Sequence, residues 1–399
     1  MVSGTGTLDT AAPDAPASAA PAWLAVASLA ISTFASVTTE FLPIGLLTNI
    51  ASSLGISEGT AGLTITLPAV MAALTGPVLI IASGRLDRRI VLLVLSAILV
   101  LSNLLAALAP NLATMLVARV LLGIVVGGFW TFAPGATGHL VPAALQPRAM
   151  SYVLAGVSLA PIAGVPVGAL LGDLMGWRAP FVVSTVLAAA VLALQLRVLP
   201  SMPPARAVRP RDLLVPFTHA PARLVLVATL FLVGGHFTGY TYLRPMLQQV
   251  FGLASDGVTA LLLVYGVTGF AGTFLGGRLA MRSARGSALL AAAIVATVLL
   301  LSAWIGGGGT AAAGIAIFAW GLAFGLVPVS MTTWMLKALP QGQESGQALL
   351  VTCFQIAISS GAFFGGLVVD GYGIASVLLL GGVLAALAVA IIGAGRVLR

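Results

Sequence analysis

Two ionisable side chains stand in stretches that otherwise shun water. Glu40 sits in Thr38-Thr39-Glu40-Phe41-Leu42-Pro43, inside an apolar segment running from Ala22 to about Leu47. Arg119 lies inside another, seven residues on from Leu112. About 20 apolar residues suffice for a helix to cross a ~30 Å hydrocarbon core. A charge there costs roughly 2.5–3.5 kcal/mol or more, so one that is kept points to function. The chemistry open to such a pair is proton exchange. A carboxyl in apolar surroundings, near an arginine, is poised between its neutral and charged forms. A solute that displaces its proton, or draws on the arginine, would have its flux coupled to that of the proton. Glu40 is seven residues from Leu47 and Arg119 seven from Leu112, which puts both ~10 Å from the same membrane surface. We therefore expect them to meet as a pair or through a shared water network, with a purely structural ion pair as the alternative.

Candidate solute contacts are polar or aromatic side chains near mid-span. His236, Phe237, Tyr240 and Tyr242, followed by Arg244-Pro245, form the densest group. Phe41, Asn103, Trp130, Trp334 and Gln355 complete the set. Small-molecule sites are mostly apolar with a few placed polar groups, as here, although each of these residues could equally serve packing. His236 could join a proton relay or be a satisfied buried histidine.

The elements that position these groups are helices in a bilayer. Of 399 residues, 59% are hydrophobic and 7% charged, with mean hydropathy +1.12, against about 25% charged in soluble domains. The apolar runs are continuous rather than alternating, which excludes a membrane β-barrel. Twelve such segments can be read, roughly 22–47, 58–82, 90–109, 112–138, 148–171, 177–199, 222–246, 256–281, 286–305, 311–336, 346–369 and 374–395. The expected fold is all-α and integral to the membrane. Arginines cluster in alternate loops: Arg85, Arg88, Arg89, Arg148, Arg197, Arg206, Arg209, Arg211, Arg223, Arg278, Arg282 and Arg285, with Lys337, Arg396 and Arg399. The other loops carry only Arg178, with Arg244 near a helix end. By the positive-inside rule both termini are cytoplasmic. Residues 1–21, rich in Ala and Pro and without a basic residue, read as a disordered cytoplasmic tail rather than a secretory signal.

The proline-rich stretch 200–221 is expected to be a cytoplasmic linker between six-helix halves at 22–199 and 222–399. The halves align at a constant shift: Glu58-Gly59 on Asp256-Gly257, Gly123 on Gly321, Gly127 on Gly325, Pro142 on Pro340 and Gly168 on Gly366. Glu40 falls on Thr238, so the acid belongs to the first half alone. Repeated halves with a midplane site between them are a transporter signature.

On these residues the chain resembles the major facilitator superfamily. Within it the resemblance is to the 12-span drug:proton antiporters and the arabinose and purine ribonucleoside efflux permeases. Carrying it are Thr39-Glu40-Phe41 with Gly45-Leu46-Leu47, Gly84-Arg85-Leu86-Asp87-Arg88-Arg89, and Arg119 through Gly123 with Gly127-Gly128-Phe129-Trp130. Gly164-Val165-Pro166-Val167-Gly168 and Gly176-Trp177-Arg178 complete the set. The resemblance implies twelve helices in two pseudo-symmetric halves, with a role for Arg119 in proton transfer. It implies that Asp87 and Arg88 form an intracellular latch holding the outward-facing state. It also makes Gly164, Pro166 and Gly168, with Gly156, a conformational motif associated with export. The loop is shorter than the usual motif. Its second-half counterpart, Gly277-Arg278-Leu279-Ala280-Met281-Arg282, has Met281 where an aspartate is often found.

Other classes are excluded or unsupported. One cysteine, Cys353, rules out a disulfide. No phosphate-binding loop precedes Lys337, the sole lysine, so the chain is not an ATP-driven pump. No metal-ligand spacing or catalytic triad can be read, and the dispersed arginines do not describe a nucleic-acid surface. The expected protein is no enzyme and needs no cofactor beyond a proton gradient. It would act as a monomer whose partners are protons, lipid and a small organic solute of the drug, sugar or nucleoside class, with drug resistance among its possible effects. The preference for Arg over Lys suggests a high-GC bacterium and its cytoplasmic (inner) membrane. Export is the favoured reading. Import or facilitation on the same fold, and a non-transporting sensor or scaffold, are the alternatives.

Overall fold

The computed structural model describes residues 19–84, 86–203, 215–304, 309–341 and 343–394. Outside these lie most of the expected tail and much of the linker, including Arg206, Arg209 and Arg211. Arg85, the glycines at 306–308, Arg396 and Arg399 lie outside them too. The described residues form helices joined by short turns, with no strand among them. We label the long helices α1 (Ala19–Leu54), α2 (Glu58–Ala82), α3 (Arg88–Ala107), α4 (Leu112–Leu140), α5 (Gln146–Met175) and α6 (Ala179–Val198). The second six are α7 (Ala220–Tyr240), α8 (255–282), α9 (284–304), α10 (Gly309–Ala338), α11 (Gln343–Tyr372) and α12 (Ile374–Ala394). Between α8 and α9 the helical ladder runs on except at Ser283, whose φ of −156° and ψ of 99° are extended. The eleven long apolar helices among the described residues are thus twelve spans.

Turn and cap chemistry sets the ends. Asp87 caps α3 through the Arg89 N–H, and Asn111 caps α4 through the Thr114 N–H. Such caps satisfy amide donors that the first turn leaves free. α5 holds a π-helical turn at Ala160–Gly164, around Pro161, where the missing amide of proline removes one rung. α1 begins at Ala19, within the expected tail, and ends at Leu54 rather than Leu47.

Contacts between loops sort the bundle into two faces. Arg285 donates to the Ile392 and Gly393 carbonyls, so the α8–α9 junction lies beside the end of α12. Arg148 lies over Trp23, and Asp87 binds Ser201 and Met202. These define the terminal face. On the opposite face Arg178 donates to the Ala109 carbonyl. There too Ser57 and the Gly59 N–H both bind Asp370 across the two halves.

The repeat read from glycines has a packing origin. A Cβ on Gly127 of α4 would lie 2.8 Å from the Ala72 carbonyl oxygen and 3.0 Å from the Gly76 nitrogen of α2. One on Gly325 of α10 would strike the Gly269 carbonyl and lie 2.9 Å from the Gly272 Cα of α8. The same close crossing, at backbone contact, is thus built in both halves, as small residues permit in membrane helices.

The halves meet unevenly. Hydrogen bonds found between described residues of the two halves run from Glu40 toward the opposite face. They include Thr48 to Gln248 (3.0 Å) and Gln249 to Glu58 (3.1 Å). Tyr242 fills the α2–α11 seam there, against Gly62, Gly365 and Gly366. The bundle is closed on the opposite face.

Candidate functional site

Glu40 is 2% exposed, fourteen residues short of the end of α1 at Leu54. That is ~21 Å along the axis, twice the depth expected from a segment ending at Leu47. One partner comes from the other half: Gln355 of α11 donates through Nε2 to Glu40 Oε1 at 3.4 Å. The Gln355 carbonyl oxygen is buried with no hydrogen-bond partner among the described residues.

Arg119, 1% exposed, does not form the expected ion pair with Glu40. Among the described residues the sole salt bridge lies elsewhere. Instead Nη1 donates to the Thr39 carbonyl at 2.9 Å, and the guanidinium sits 4.8 Å over the Phe181 ring. Its Nε and Nη2 have no hydrogen-bond partner among the described residues. The backbone carbonyl one residue before Glu40 thus takes the place of the carboxylate. Buried polar atoms left open cost about 1–3 kcal/mol each, and in native structures such atoms call for a functional explanation.

Asn103 packs behind the turn of α1 that carries Glu40. It is fully buried, accepts from Thr39 Oγ1 at 3.1 Å and donates to the Leu99 carbonyl at 3.1 Å. It shares the Thr39 hydroxyl with the Ala35 carbonyl, which lies at 2.8 Å, and so braces the turn of α1 that carries Glu40. The fifth-helix motif lies behind the same turn. Thr38 fills the space against Gly164, and Leu42 that against Gly168. Pro166 is buried just after the π turn.

His236, Phe237 and Tyr240 form an aromatic cluster with three residues the sequence did not single out: Tyr265, Trp320 and Phe324. The His236 ring lies 3.5 Å from that of Phe324, nearly parallel, and stacks on Tyr240 at 5.0 Å. Trp320 Nε1 donates to His236 Nδ1 at 2.9 Å. Indole nitrogen can only donate, so Nδ1 carries no proton and the neutral ring holds it on Nε2. That N–H faces the Tyr265 hydroxyl at 3.4 Å. His236 is a satisfied member of the cluster in this arrangement, not an open relay. Phe41, next to Glu40, stacks on Phe237 at 5.7 Å across the halves.

Tyr242 does not belong with them. Its hydroxyl donates to the Ala362 carbonyl at 2.8 Å within the closed seam. The helix ends at Tyr240 and the chain turns, aiming Tyr242 toward α2 and α11. Trp130 lines a small cavity of about 20 Å³ with Thr33, Ser36 and Phe129. Trp334 is half-buried against the second-half core. Arg88 bonds Ser83 at 2.7 Å and lies over Phe132, while Asp87 binds Ser201, Met202 and Arg89. Ser83, Phe132 and Arg89 lie in the first half, and Ser201 and Met202 in the linker just after it.

The sequence reading missed the salt bridge. Asp173 Oδ1 accepts from Arg244 Nη2 at 2.6 Å, and Arg244 Nη1 reaches the Gly45 carbonyl at 2.6 Å. Asn49 donates to Asp173 at 3.1 Å. Ending the fifth apolar segment at 171 left Asp173 in a loop, but α5 continues to Met175.

Twelve membrane-spanning helices, an acid at their centre and a seam closed at one end define a secondary transporter of a small solute. The chain belongs to the Major Facilitator Superfamily, whose profile matches residues 29–348. It is 34% identical over 348 residues to the purine ribonucleoside efflux pump NepI of Escherichia coli (strain K12), covering 87% of this chain and 88% of that protein. To the pump of the same name from Salmonella enteritidis it is 33% identical over 358 residues, or 90% of each. In fold it is similar to a bacterial homologue of the human lysosomal transporter Spinster in an inward-facing, unoccupied conformation. There the TM-score is 0.77 at 15% identity, covering 93% of this chain and 96% of that one. The nucleoside transporter NupG gives 0.75 at 13% identity, covering 93% and 99%.

Proposed function

We propose that the protein exports a purine-nucleoside-like solute across the bacterial inner membrane in exchange for protons, by alternating access. The observation that carries the reading is Glu40, a buried carboxyl at mid-bundle whose hydrogen bond to Gln355 spans the two halves. A proton arriving on Glu40 changes what Gln355 can offer it, from donor to acceptor, and so changes the contact between halves. Arg119, with two open donor nitrogens near Thr39, supplies the positive field that favours release. The aromatic faces of Phe41, Phe237 and Phe324 suit a flat heteroaromatic base, since such rings stack at modest cost. The names of the NepI relatives point to the same solute class. With the termini inside, the closed seam faces the outside in this state.

The test is transport in inverted vesicles. Glu40→Gln should abolish uptake of a labelled purine ribonucleoside driven by a pH gradient, while counterflow exchange continues. Full gradient-driven transport by this variant would overturn the proton role. Active wild-type vesicles that move drugs or pentoses but no nucleoside would overturn the solute class.

A further inference from the structure

The second-half loop that departs from the family pattern stands apart from the proposed transport site. Arg278 and Arg282, one helical turn apart at the end of α8, are exposed and flank an open cleft of about 440 Å³ with Leu275, Leu279 and Met281. Neither guanidinium has a hydrogen-bond or ion-pair partner among the described residues. Their neighbour Arg285 differs, being held by the Ile392 carbonyl. In the first half the corresponding loop carries Asp87; here Met281, 75% exposed, takes the acid's place. Like charges at this spacing repel each other on a helix, so the pair gains from a shared anion.

The surface below the arginines says where the anion comes from. Leu263, Val267, Phe270 and Phe274 are 48%, 51%, 40% and 60% exposed. At 100° per residue, Leu263, Val267, Phe274, Arg278 and Met281 fall within about 60° of one another, so this is one face. Gly266, about 80° or more around from Phe274 and Arg278, is the residue that packs on α5, against Pro161 and Ile162. The exposed face therefore looks away from that contact, toward lipid. An apolar stripe capped by two cations at the bilayer edge matches an acyl chain and an acidic headgroup.

We propose that Arg278 and Arg282 form a binding site for an anionic phospholipid, with the headgroup phosphate between the two guanidiniums and an acyl chain along Val267 and Phe274. The phosphate accepts from both arginines, as guanidinium and phosphate geometry favour.

Native mass spectrometry of the purified full-length protein tests this, with phosphatidylglycerol, phosphatidylcholine or inorganic phosphate added. Wild type should retain phosphatidylglycerol at least fivefold over phosphatidylcholine. The double variant Arg278→Gln/Arg282→Gln should lose that preference, while Arg197→Gln, an exposed arginine on the same face, should keep it. A double lysine variant at 278 and 282, which keeps the charge, should restore at least half of it. If the glutamine variant misfolds, Met281→Asp, which sets an acid at an exposed position beside the two arginines, decides the matter: it should lower the preference at least twofold, and an unchanged preference would overturn the proposal. Equal retention of both lipids by wild type, or an unchanged preference in the folded glutamine variant, would overturn the proposal. So would displacement of the lipid by millimolar phosphate, which would make this a soluble-anion site.

Discussion

Asp173 and Arg244 hold the closed face together, and Asp173→Asn measures how strongly. The carboxylate is 17% exposed and the guanidinium 1%, so solvent screens the pair little. Asparagine keeps an acceptor for Arg244 and Asn49 but removes the charge. A hydrogen bond to a charged group contributes about 1.5–3 kcal/mol. Arg244 keeps the Gly45 carbonyl at 2.6 Å and Ser255 at 3.4 Å, so it is weakened rather than stranded. Separation at this face breaks the pair in any case, so the substitution penalises the closed state alone. The neutral bond that remains still contributes about 0.5–1.5 kcal/mol, so the loss is about 1–1.5 kcal/mol and the equilibrium should move roughly 5- to 12-fold toward opening. The reporter is a cysteine pair replacing Thr48 and Gln248, whose side chains meet at 3.0 Å across the halves, in a Cys353→Ser background. Alkylation of the reduced pair, which needs opening, should accelerate at least fivefold in Asp173→Asn, and adding Arg244→Gln, which also gives up the Gly45 carbonyl, should speed it by less than Arg244→Gln does alone. A rate within twofold of the parent would refute the reasoning. So would a coupling below about 0.5 kcal/mol in the double-mutant cycle, the usual scatter for independent sites.

Further outcomes follow from other contacts. Tyr242→Phe removes a buried hydrogen bond to Ala362 and should lower stability by about 0.5–1.5 kcal/mol, read as melting in detergent, with solute KM unchanged; a KM shift above fivefold would return Tyr242 to the solute site. Gly325→Val places a side chain into the α8 backbone and should cost at least 1–3 kcal/mol, seen as poor yield or early melting, whereas Gly277→Ala, where a Cβ meets nothing within 4 Å, should be near neutral. Asn103→Ala should impair proton-driven transport by releasing Thr39 while leaving expression near normal, and wild-type transport by this variant would reject its positioning role. Asp87 is held below the ordinary carboxylate range chiefly by the Ser201 hydroxyl, then by the Met202 N–H. Its anchoring of these residues is therefore present above about pH 3.8 and lost as pH falls through the lowered value. Amide exchange at Met202, corrected for intrinsic rates, should accelerate over that acid window and do so at neutral pH in Asp87→Asn.

What the sequence reveals here depends on how far each signal reaches. Twelve apolar runs, the glycine repeat and the isolated Glu40 are local patterns, and hydrocarbon enforces them strictly because every backbone group must be paired within a helix. The ends of the helices are less legible. The polar residues Thr48, Asn49, Ser52 and Ser53 extend α1 past the apolar run, and Asp173 lies near the end of α5. Counting depth from the apolar boundary therefore misplaced Glu40 and hid the Asp173–Arg244 pair. Direction around a helix is less legible still. Tyr240 and Tyr242 are two residues apart, yet one joins the His236 cluster and the other the α2–α11 seam. Tyr265 lies on α8 and Trp320 and Phe324 on α10, and no spacing along the chain joins them to His236.

The distribution of bond strength bears on how a proton could drive the cycle. The opposite face is closed by a charged pair at 2.6 Å and by Asp370 bonds of 2.6 and 2.9 Å. At mid-bundle the bond between Glu40 and Gln355 is 3.4 Å, long enough to be weak. A single protonation at Glu40 could not by itself overcome the face contacts if they added fully to the closed state's stability. It can do so when they are nearly balanced by the packing that separation of the halves on the terminal face gives up. The proposed mechanism therefore requires a closed state favoured by only a few kcal/mol. Within that range the gain or loss of one buried charge-assisted bond, about 1.5–3 kcal/mol, reverses the populations. Weakening the face through Asp173→Asn should then relax the coupling, so that solute moves down its own gradient without a proton gradient. Glu40→Gln in the same chain should leave that downhill flux intact. A double variant as inert as Glu40→Gln alone, in downhill flux as well as driven transport, would separate the face from the proton site and break the argument.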